Sequence, residues 1–366
     1  MEVAYGRGGR KEINQLYDKE FESESCQSSA ASPLSLIMEA LEEAELCFPQ
    51  LNTSCRMTMP PQFEITISYT VVYFIVLLTV VLNLLVIISI SYFRQLHTTT
   101  NLLLLSLAVA DFIVGLLQMP ILLLHNQGCW TLGDIMCVVN NFLGFLVVSV
   151  SVGNMVLISV DRYIAICDPM FYSTKVTLKT VQLCVCLCWI FSAVHSTWIL
   201  WDVFEQPGRY NSCYGECVVI ITFAEGVVDL VVTCFGPIVV IILLYLRVFV
   251  VAVSQARAMR SHIATVTLQR SETVKAKRSE IKAARTLGIV VVVFLLCSCP
   301  YYFLTVAAFN NLIGTSIALI EVWLLYFNSC LNPVIYVSFY PWFRKSIKNI
   351  TTLQILQPGS RDTSLQ

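Results

Sequence analysis

Long hydrophobic runs, separated by short polar segments, dominate the chain from residue 66 onward. A helix of about 20 apolar residues is long enough to cross the hydrocarbon core of a bilayer. Seven runs satisfy this length, and in chain order they are 66–92, 100–124, 136–160, 180–201, 219–250, 284–308 and 315–338. Pro300 and Pro333 interrupt the last two runs, and we interpret them as kinks, since neighbouring helices can satisfy the freed carbonyls. The pattern predicts an all-α membrane protein built as a seven-transmembrane helix bundle.

The composition supports lipid as the solvent of these runs. Of the 366 residues, 57% are hydrophobic and 13% are charged, and the mean hydropathy is +0.73. A soluble domain carries about 25% charged residues, so the low charge content disfavours a soluble protein.

The distribution of lysine and arginine predicts the orientation. The segments after spans one, three, five and seven hold most of these residues, whereas the loops on the opposite side contain only Arg209. The positive-inside rule therefore places the C-terminus in the cytosol and the N-terminus outside the cell. The predicted organisation is an extracellular tail over 1–65, the seven-span domain over 66–338, and a short amphipathic eighth helix with a cytoplasmic tail over 339–366.

Six cysteines and a glycosylation signal lie on the predicted outer side, where disulfides persist. The cysteines are Cys47, Cys55, Cys129, Cys137, Cys213 and Cys217. Asn52 begins an Asn-Thr-Ser acceptor sequence on the same tail. Residues 1–37 have no apolar signal core, and they contain Cys26, which makes the outer cysteine count odd. They are either a disordered extension or the result of a start placed ahead of Met38.

Each span also carries a polar, aromatic or proline mark at a specific place. In chain order these are Asn83, Asp111, Asp161-Arg162-Tyr163, Trp189, Pro237, Tyr245, Pro300 and Asn332-Pro333-Val334-Ile335-Tyr336. The set, between about 66 and 343, resembles the rhodopsin-like G-protein-coupled receptors. A transporter would show paired repeats with broken helices, and no such pairing is visible. No metal or nucleophile cluster in the sequence supports an enzyme.

That resemblance implies a switch near the cytosolic surface. Arg162 would pair at rest with Asp161 and with Glu280 at the start of the sixth span. Activation would move the sixth span outward and open a crevice for a heterotrimeric G protein. The residues of this switch are Asp161, Arg162, Tyr163, Tyr245, Glu280, Asn332, Pro333 and Tyr336. The family usually has a tryptophan two residues before the sixth-span proline, but this chain has Ser298 there. The coupling of ligand to switch must therefore differ, with Phe294 or Tyr301 as candidates.

The resemblance also implies a polar cluster in the middle of the membrane. Its residues are Asp111, Ser151, Asn328 and Asn332. In relatives this cluster binds sodium, and here it could equally form a hydrated network without an ion. A structural sodium ion is the one cofactor that the sequence suggests.

The segment from Asn328 to Phe343, NSCLNPVIYVSFYPWF, looks like the seventh-span signature of trace amine-associated receptors. By similarity to that family, Cys137 pairs with Cys217, Cys47 with Cys213, and Cys55 with Cys129. The family resemblance further implies coupling to a stimulatory G protein and location in the plasma membrane of olfactory cilia.

Amine receptors usually hold the ligand ammonium with an aspartate eighteen residues before the DRY arginine, and that position is Gly144 here. The fifth span instead carries Asp229 in an apolar run, a pattern that resembles the teleost-specific branch of the family. A buried carboxylate is costly in a membrane, and a bound ammonium would neutralise it. Alternatively, Asp229 pairs with Tyr302 or a water molecule and binds no ligand.

Further residues are candidates for the pocket. Glu225 and Glu321 are either a second ammonium site for a diamine or polyamine, or partly solvated charges at the rim. His125 and His195 have no evident partners, and we interpret them as rim and packing residues. The residues predicted to line the pocket are Phe145, Thr233, Tyr301, Tyr302, Trp323 and Tyr326.

The sequence therefore predicts an olfactory-type receptor for small amines, with no nucleic-acid partner and no enzymatic activity. Within receptors, the alternative is a biogenic-amine receptor of neurotransmitter type, which Gly144 and the seventh-span signature disfavour. From another class, the alternative is a transport or binding protein without G-protein coupling, which the complete set of switch residues disfavours.

Overall fold

The computed structural model describes residues 45–57, 62–125, 129–262, 288–302, 316–357 and 359–362. Glu280, Cys26 and Met38 lie outside the described residues, as does the segment 1–37. The backbone of Glu321 and His125 is described, but their side chains are not.

Helices follow the predicted spans closely. Their bounds are Gln62–Tyr92, Thr99–Ile113 with Met119–His125, Gly133–Cys167, Leu178–Ile199, Phe223–Leu230 with Gly236–His262, Gly288–Tyr302, and Ser316–Phe339. We number these seven groups as the first to seventh spans. Six described helices are long and apolar enough to cross a bilayer, and Gly288–Tyr302 is an apolar helix that is shorter within the described range.

Proline accounts for the irregular turns inside two spans. A π-helical turn, Val114–Gln118, precedes Pro120 in the second span, and another, Val231–Phe235, precedes Pro237 in the fifth. Proline lacks a backbone N–H and crowds the preceding turn, so the helix widens there and then continues. Pro333 lies inside Ser316–Phe339 without ending that helix.

Two predicted boundaries were wrong because helices continue beyond the apolar runs. The third span extends to Cys167 instead of 160. The fifth extends to His262 instead of 250. The added residues in the fifth span are rich in alanine, glutamine and arginine, which favour helix in water as well as in lipid. Hydropathy marks where a helix leaves the hydrocarbon, not where it ends.

A single hydrophobic core joins all seven spans. Its buried members include one residue from each, namely Val86, Leu104, Met155, Val181, Ile241, Val290 and Tyr336. The outer faces are apolar too, and Leu77 in the first span and Phe249 in the fifth are about two-thirds exposed, at 62% and 67%. Exposed apolar faces around a buried core are expected where lipid surrounds the bundle.

A short helix, Pro341–Thr351, follows the seventh span. Phe343 and Ser346 on one side of it are fully buried, whereas Arg344, Lys345 and Lys348 are exposed. The helix packs Phe343 into the same core as the spans.

Three disulfides gather at one end of the bundle, which we call the disulfide end; the opposite end carries Arg162. The bridges are Cys47–Cys129, Cys55–Cys213 and Cys137–Cys217. The predicted pairing of Cys137 with Cys217 is confirmed. The predicted pairings of Cys47 with Cys213 and of Cys55 with Cys129 were wrong.

Backbone hydrogen bonds explain the corrected pairing. A hairpin joins the strands Glu45–Leu46 and Arg56–Met57, and the Cys47 N–H donates to the Cys55 carbonyl at 2.9 Å. On its other side Cys55 donates to the Tyr214 carbonyl at 3.0 Å. Cys55 therefore lies between Cys47 and the loop after the fourth span, next to Cys213. Cys47, at the outer edge of this arrangement, is left to pair with Cys129.

Candidate functional site

A cleft opens between the third, fifth, sixth and seventh spans, in the half of the bundle nearer the disulfide end. It contains about 430 Å³ of space not occupied by protein atoms, part of it open to solvent. Its lining residues are Gly144, Phe145, Val148, Asp229, Thr233, Tyr301, Tyr302, Val322, Leu325 and Tyr326. Six of the nine residues predicted for the ligand site are among them.

Asp229 is the one carboxylate among the lining residues, and its side chain is 19% exposed. The Thr233 hydroxyl, one helical turn later, donates to the Asp229 backbone carbonyl at 2.7 Å and lies 3.4 Å from the carboxylate Oδ1. The Tyr302 hydroxyl reaches Thr233 Oγ1 at 3.0 Å and not the carboxylate. The predicted alternative, in which Tyr302 pairs directly with Asp229, is therefore not the arrangement seen. Tyr302 acts on the site through Thr233.

An ionisable neighbour of the carboxylate comes from the fourth span. His195 Nε2 lies 3.8 Å from Asp229 Oδ1, a distance at which a protonated imidazole would form an ion pair. His195 is buried and stacks on Phe191, with ring centroids 6.2 Å apart. The burial and stacking of His195 agree with its prediction as a packing residue, and its proximity to Asp229 was not predicted.

Aromatic rings form the walls of the cleft. Tyr301 and Tyr302 meet edge to face, with centroids 5.3 Å apart. The Tyr326 hydroxyl donates to Gln118 Oε1 at 3.1 Å, and Gln118 Nε2 donates to the Asn140 carbonyl at 3.1 Å. Gln118, in the π-helical turn of the second span, was not predicted, and it holds Tyr326 in place. The faces of the Tyr301, Tyr302 and Tyr326 rings stabilise a cation by cation–π contact.

The other predicted pocket residues have different surroundings. Trp323 is partly buried and packs against a cluster that includes Val147 and Tyr326, but it does not line the cleft. Glu225 caps the fifth span: its carboxylate accepts the Thr222 N–H at 2.8 Å, and Thr222 Oγ1 accepts the Glu225 N–H at 3.4 Å. Glu225 is therefore at the end of the helix and not in the cleft.

The Arg162 end contains a compact cluster of polar residues. Arg162 and Asp161 are each about 5% exposed, and Arg162 Nε donates to Asp161 Oδ2 at 3.0 Å. Thr100 in the second span donates to the same oxygen at 2.9 Å and also contacts the Arg162 guanidinium. Tyr172, in the helix Pro169–Lys175, donates to Asp161 Oδ1 at 3.0 Å. The predicted pairing of Arg162 with Asp161 is present, and Thr100 and Tyr172 were not predicted.

Burial raises the pKa of the Tyr172 hydroxyl, and the adjacent Asp161 carboxylate raises it further. Tyr172 therefore stays a proton donor to Asp161 throughout the physiological range. The cluster fixes the Asp161 carboxylate from three sides, so that it holds the guanidinium against the second span.

Comparisons with known proteins agree with this arrangement. The family model described as 7 transmembrane receptor (rhodopsin family) matches residues 82–336. Trace amine-associated receptor 13c of Danio rerio is 35% identical over 345 residues, covering 91% of this chain and 99% of the relative. Trace amine-associated receptor 6 of Pan troglodytes is 37% identical, covering 89% and 96%, and receptor 1 of Mus musculus is 36% identical, covering 81% and 92%. The chain is a rhodopsin-family seven-transmembrane receptor of the trace amine-associated group.

Because this family consists of receptors, the chain is a multi-pass membrane receptor and not an enzyme. Three further switch residues in the described part of the chain are Tyr163, Tyr245 and Tyr336. The Tyr245 and Tyr336 hydroxyls are shielded from solvent and have no hydrogen-bond partner among the described residues. Tyr163 is half-buried and packs on the Ile166 cluster. Two hydroxyls without partners are poised to bind water or a new group if the sixth span moves.

The receptor's mid-membrane cluster is partly assembled. Asn332 Nδ2 donates to Asp111 Oδ2 at 2.8 Å, and both residues are fully buried. Asn328 lies one turn earlier on the seventh span, and Ser151 is buried in the third. Within the described part of the chain, Asp111 Oδ1, Asn328 Oδ1 and Asn332 Oδ1 have no hydrogen-bond partner. Ser298 Oγ, at the place of the usual tryptophan, is also buried without one.

Proposed function

We propose that this receptor binds a small amine through Asp229 and signals through a stimulatory G protein, which raises cAMP. The observation that carries the proposal is the position of Asp229 as the one carboxylate among the residues lining an aromatic cleft. A charge-assisted hydrogen bond from an ammonium neutralises the carboxylate, and the surrounding Tyr301, Tyr302 and Tyr326 rings offer their electron-rich faces to the cation. The relatives' names, which refer to trace amines, support this ligand class.

Gly144 supports a receptor other than the neurotransmitter type. It lines the same cleft on the third span and provides no charge, so the ammonium must be held from the fifth span. This pattern supports membership of the teleost-specific branch. The compact Asp161–Arg162 cluster supports a receptor switch and does not support the alternative of a transport protein.

For the placement in the cell, we propose the plasma membrane of olfactory cilia, with the N-terminus outside. The disulfides support this orientation, because they join the N-terminal tail to the loops of one end of the bundle and form in oxidising compartments. Asn52 is exposed between Cys47 and Cys55, as a glycosylated asparagine must be.

We propose that the mid-membrane cluster holds a sodium ion. Sodium prefers oxygen ligands, and the fully buried Asp111 Oδ1, Asn328 Oδ1 and Asn332 Oδ1 have no hydrogen-bond partner among the described residues. Burying such acceptors without compensation is costly, and a cation or water would remove the cost. Asp111 would supply the charge, and Asn328, Asn332 and Ser151 the neutral oxygens.

Asp111→Asn is expected to abolish any effect of sodium on agonist potency. The carboxylate supplies the negative charge that makes the cluster attractive to a cation, so its neutral amide should not hold the ion. EC50 values for cAMP would be measured in membranes at about 10 mM and 150 mM NaCl, with potassium keeping the ionic strength constant. Ser338→Ala, an exposed change on the seventh span, serves as control. Sodium sensitivity retained by Asp111→Asn would contradict the proposed site.

Glu225→Gln is expected to change potency for monoamines by less than about threefold. The Glu225 carboxylate accepts the Thr222 N–H, so its amide oxygen can still do so and the cleft is untouched. Potency for cadaverine should change equally little, since Glu225 does not line the cleft. A selective loss for the diamine of tenfold or more would show that Glu225 binds a second ammonium.

The proposal is tested by a cAMP screen of the surface-expressed receptor. The panel is 2-phenylethylamine, isopentylamine, cadaverine and spermine, with the corresponding alcohols as uncharged controls. We expect at least one amine to raise cAMP and the alcohols to be inactive. A receptor that reaches the surface and responds to no amine would contradict the proposed function.

A further inference from the structure

His195 lies beside the proposed ammonium site, although it does not line the cleft. Its Nε2 is 3.8 Å from Asp229 Oδ1, and its side chain is 5% exposed. Neither ring nitrogen has a hydrogen-bond partner among the described residues. Asp229 therefore meets the cleft on one side and the imidazole on another.

The other ionisable groups around this pair do not compete with the imidazole. On the fifth span, Cys234 and Asp229 interact electrostatically, and on the sixth span Tyr302 does the same. A thiol and a phenol are neutral at neutral pH, so neither balances the carboxylate. The third-span residues lining the cleft, Gly144, Phe145 and Val148, do not titrate.

The nearest charges along the two helices are also engaged or remote. Glu225, one turn before Asp229, is bonded to the Thr222 N–H. In the fourth span, Lys179 is at the opposite end of the helix from His195. Within the described part of the chain, the imidazole is thus the group whose charge can change beside the carboxylate between pH 6 and 8.

We propose that His195 is a positioning residue that controls the availability of Asp229, because its protonated form pairs with the carboxylate and competes with the ligand ammonium. This inference rests on the proposed amine anchor at Asp229. With a neutral imidazole the carboxylate faces the cleft with its full charge. With an imidazolium 3.8 Å away, that charge is already neutralised inside the protein.

The proton balance gives the direction of the effect. Binding an ammonium to the protonated pair would leave two cations around one carboxylate, so the proton leaves His195 for solvent as the amine binds. Ligand and proton then compete, and each weakens the binding of the other by the same factor. Amine potency is therefore high at alkaline pH, where the imidazole is neutral, and falls as the medium is acidified. In the competitive limit the EC50 rises roughly tenfold for each pH unit below the midpoint.

The test measures cAMP EC50 values for the four amines of the screening panel at external pH 6.0, 7.0 and 8.0. The primary ammonium groups of these ligands stay protonated over this range, as lysine does, so the group that would meet the carboxylate keeps its charge. We expect the wild-type EC50 to rise about fourfold from pH 8.0 to pH 6.0, the change for competition with the proton of an ordinary imidazole. In His195→Gln, which keeps a neutral polar side chain, the EC50 should vary less than twofold and should be lower than the wild-type value at pH 6.0.

Two controls separate this role from a structural one. His125→Gln changes another histidine toward the disulfide end and should keep the wild-type pH slope. His195→Asn is a second neutral variant, to be used if the glutamine variant does not reach the surface. The pH profile of the wild-type receptor can be measured whether or not either variant is expressed. A wild-type EC50 independent of pH, or an unchanged slope in both His195 variants, would overturn the inference alone. A wild-type receptor silent to all four amines at every pH would overturn the proposed function and the inference with it.

Discussion

Asp229→Asn is expected to lose two to four decades of potency for amine agonists while reaching the cell surface normally. The substitution keeps the shape of the side chain but removes the one carboxylate of the cleft lining. Removing one partner of a buried ion pair costs about 3–5 kcal/mol, which corresponds to that loss of potency. Asp229→Ala should lose at least as much potency. Similar losses in the two variants would show that the charge of Asp229, and not its packing, is needed for the response.

The control for this prediction is Asp202→Asn. Asp202 is an exposed acid at the disulfide end, in the helix Trp201–Glu205, so its substitution removes the same charge from outside the cleft. We expect its EC50 to stay within threefold of the wild-type value. Measurement of cAMP at matched surface density, by antibody staining of intact cells, provides the comparison. If Asp229→Asn keeps its potency at a normal surface level, the anchor is elsewhere.

The double variant Cys137→Ser/Cys217→Ser is expected to lose most surface expression and agonist response. This bridge joins the start of the third span to the loop that follows the fourth, across 80 residues of chain. Closing a loop of this length stabilises a folded chain by about 4–5 kcal/mol in the loop-entropy description. Both cysteines are buried with Trp130, and the Asn141 amide contacts both sulfur atoms.

The comparison for the disulfide is Cys186→Ser, an exposed free cysteine of the fourth span. That variant should be indistinguishable from wild type in surface staining and in EC50. A double Cys137/Cys217 variant with normal surface level and potency would show that the bridge is dispensable.

Hydrophobicity predicts the spans well, because a bilayer imposes nearly the same requirement on every helix that crosses it. The aromatic residues Phe145, Tyr301 and Tyr326 were predicted to line the pocket, and the structure gathers them with Asp229. Glu225 could have been interpreted better: Thr222 three residues before it forms the pattern of a capping box, which the structure shows.

Other features depend on contacts that no spacing in the chain encodes. His195 meets Asp229 because the tertiary arrangement brings one side chain of the fourth span next to one side chain of the fifth. Which partner each of Cys47 and Cys55 takes depends on which edge of the hairpin faces Tyr214. The two cysteines could exchange partners without any change in sequence spacing. Gln118 reaches Tyr326 from a π-helical turn of the second span, which changes the direction of the side chains along that helix.

Guanine-nucleotide exchange by the purified receptor tests the central claim most directly. Wild type and Asp229→Asn, each in nanodiscs, would be mixed with a stimulatory heterotrimer, and GTP-analogue uptake would be followed with each amine of the panel. The account predicts amine-dependent exchange by wild type, and exchange by the variant only at concentrations at least a hundredfold higher. Absence of exchange with every amine, or equal exchange by the two proteins at equal concentrations, would contradict it.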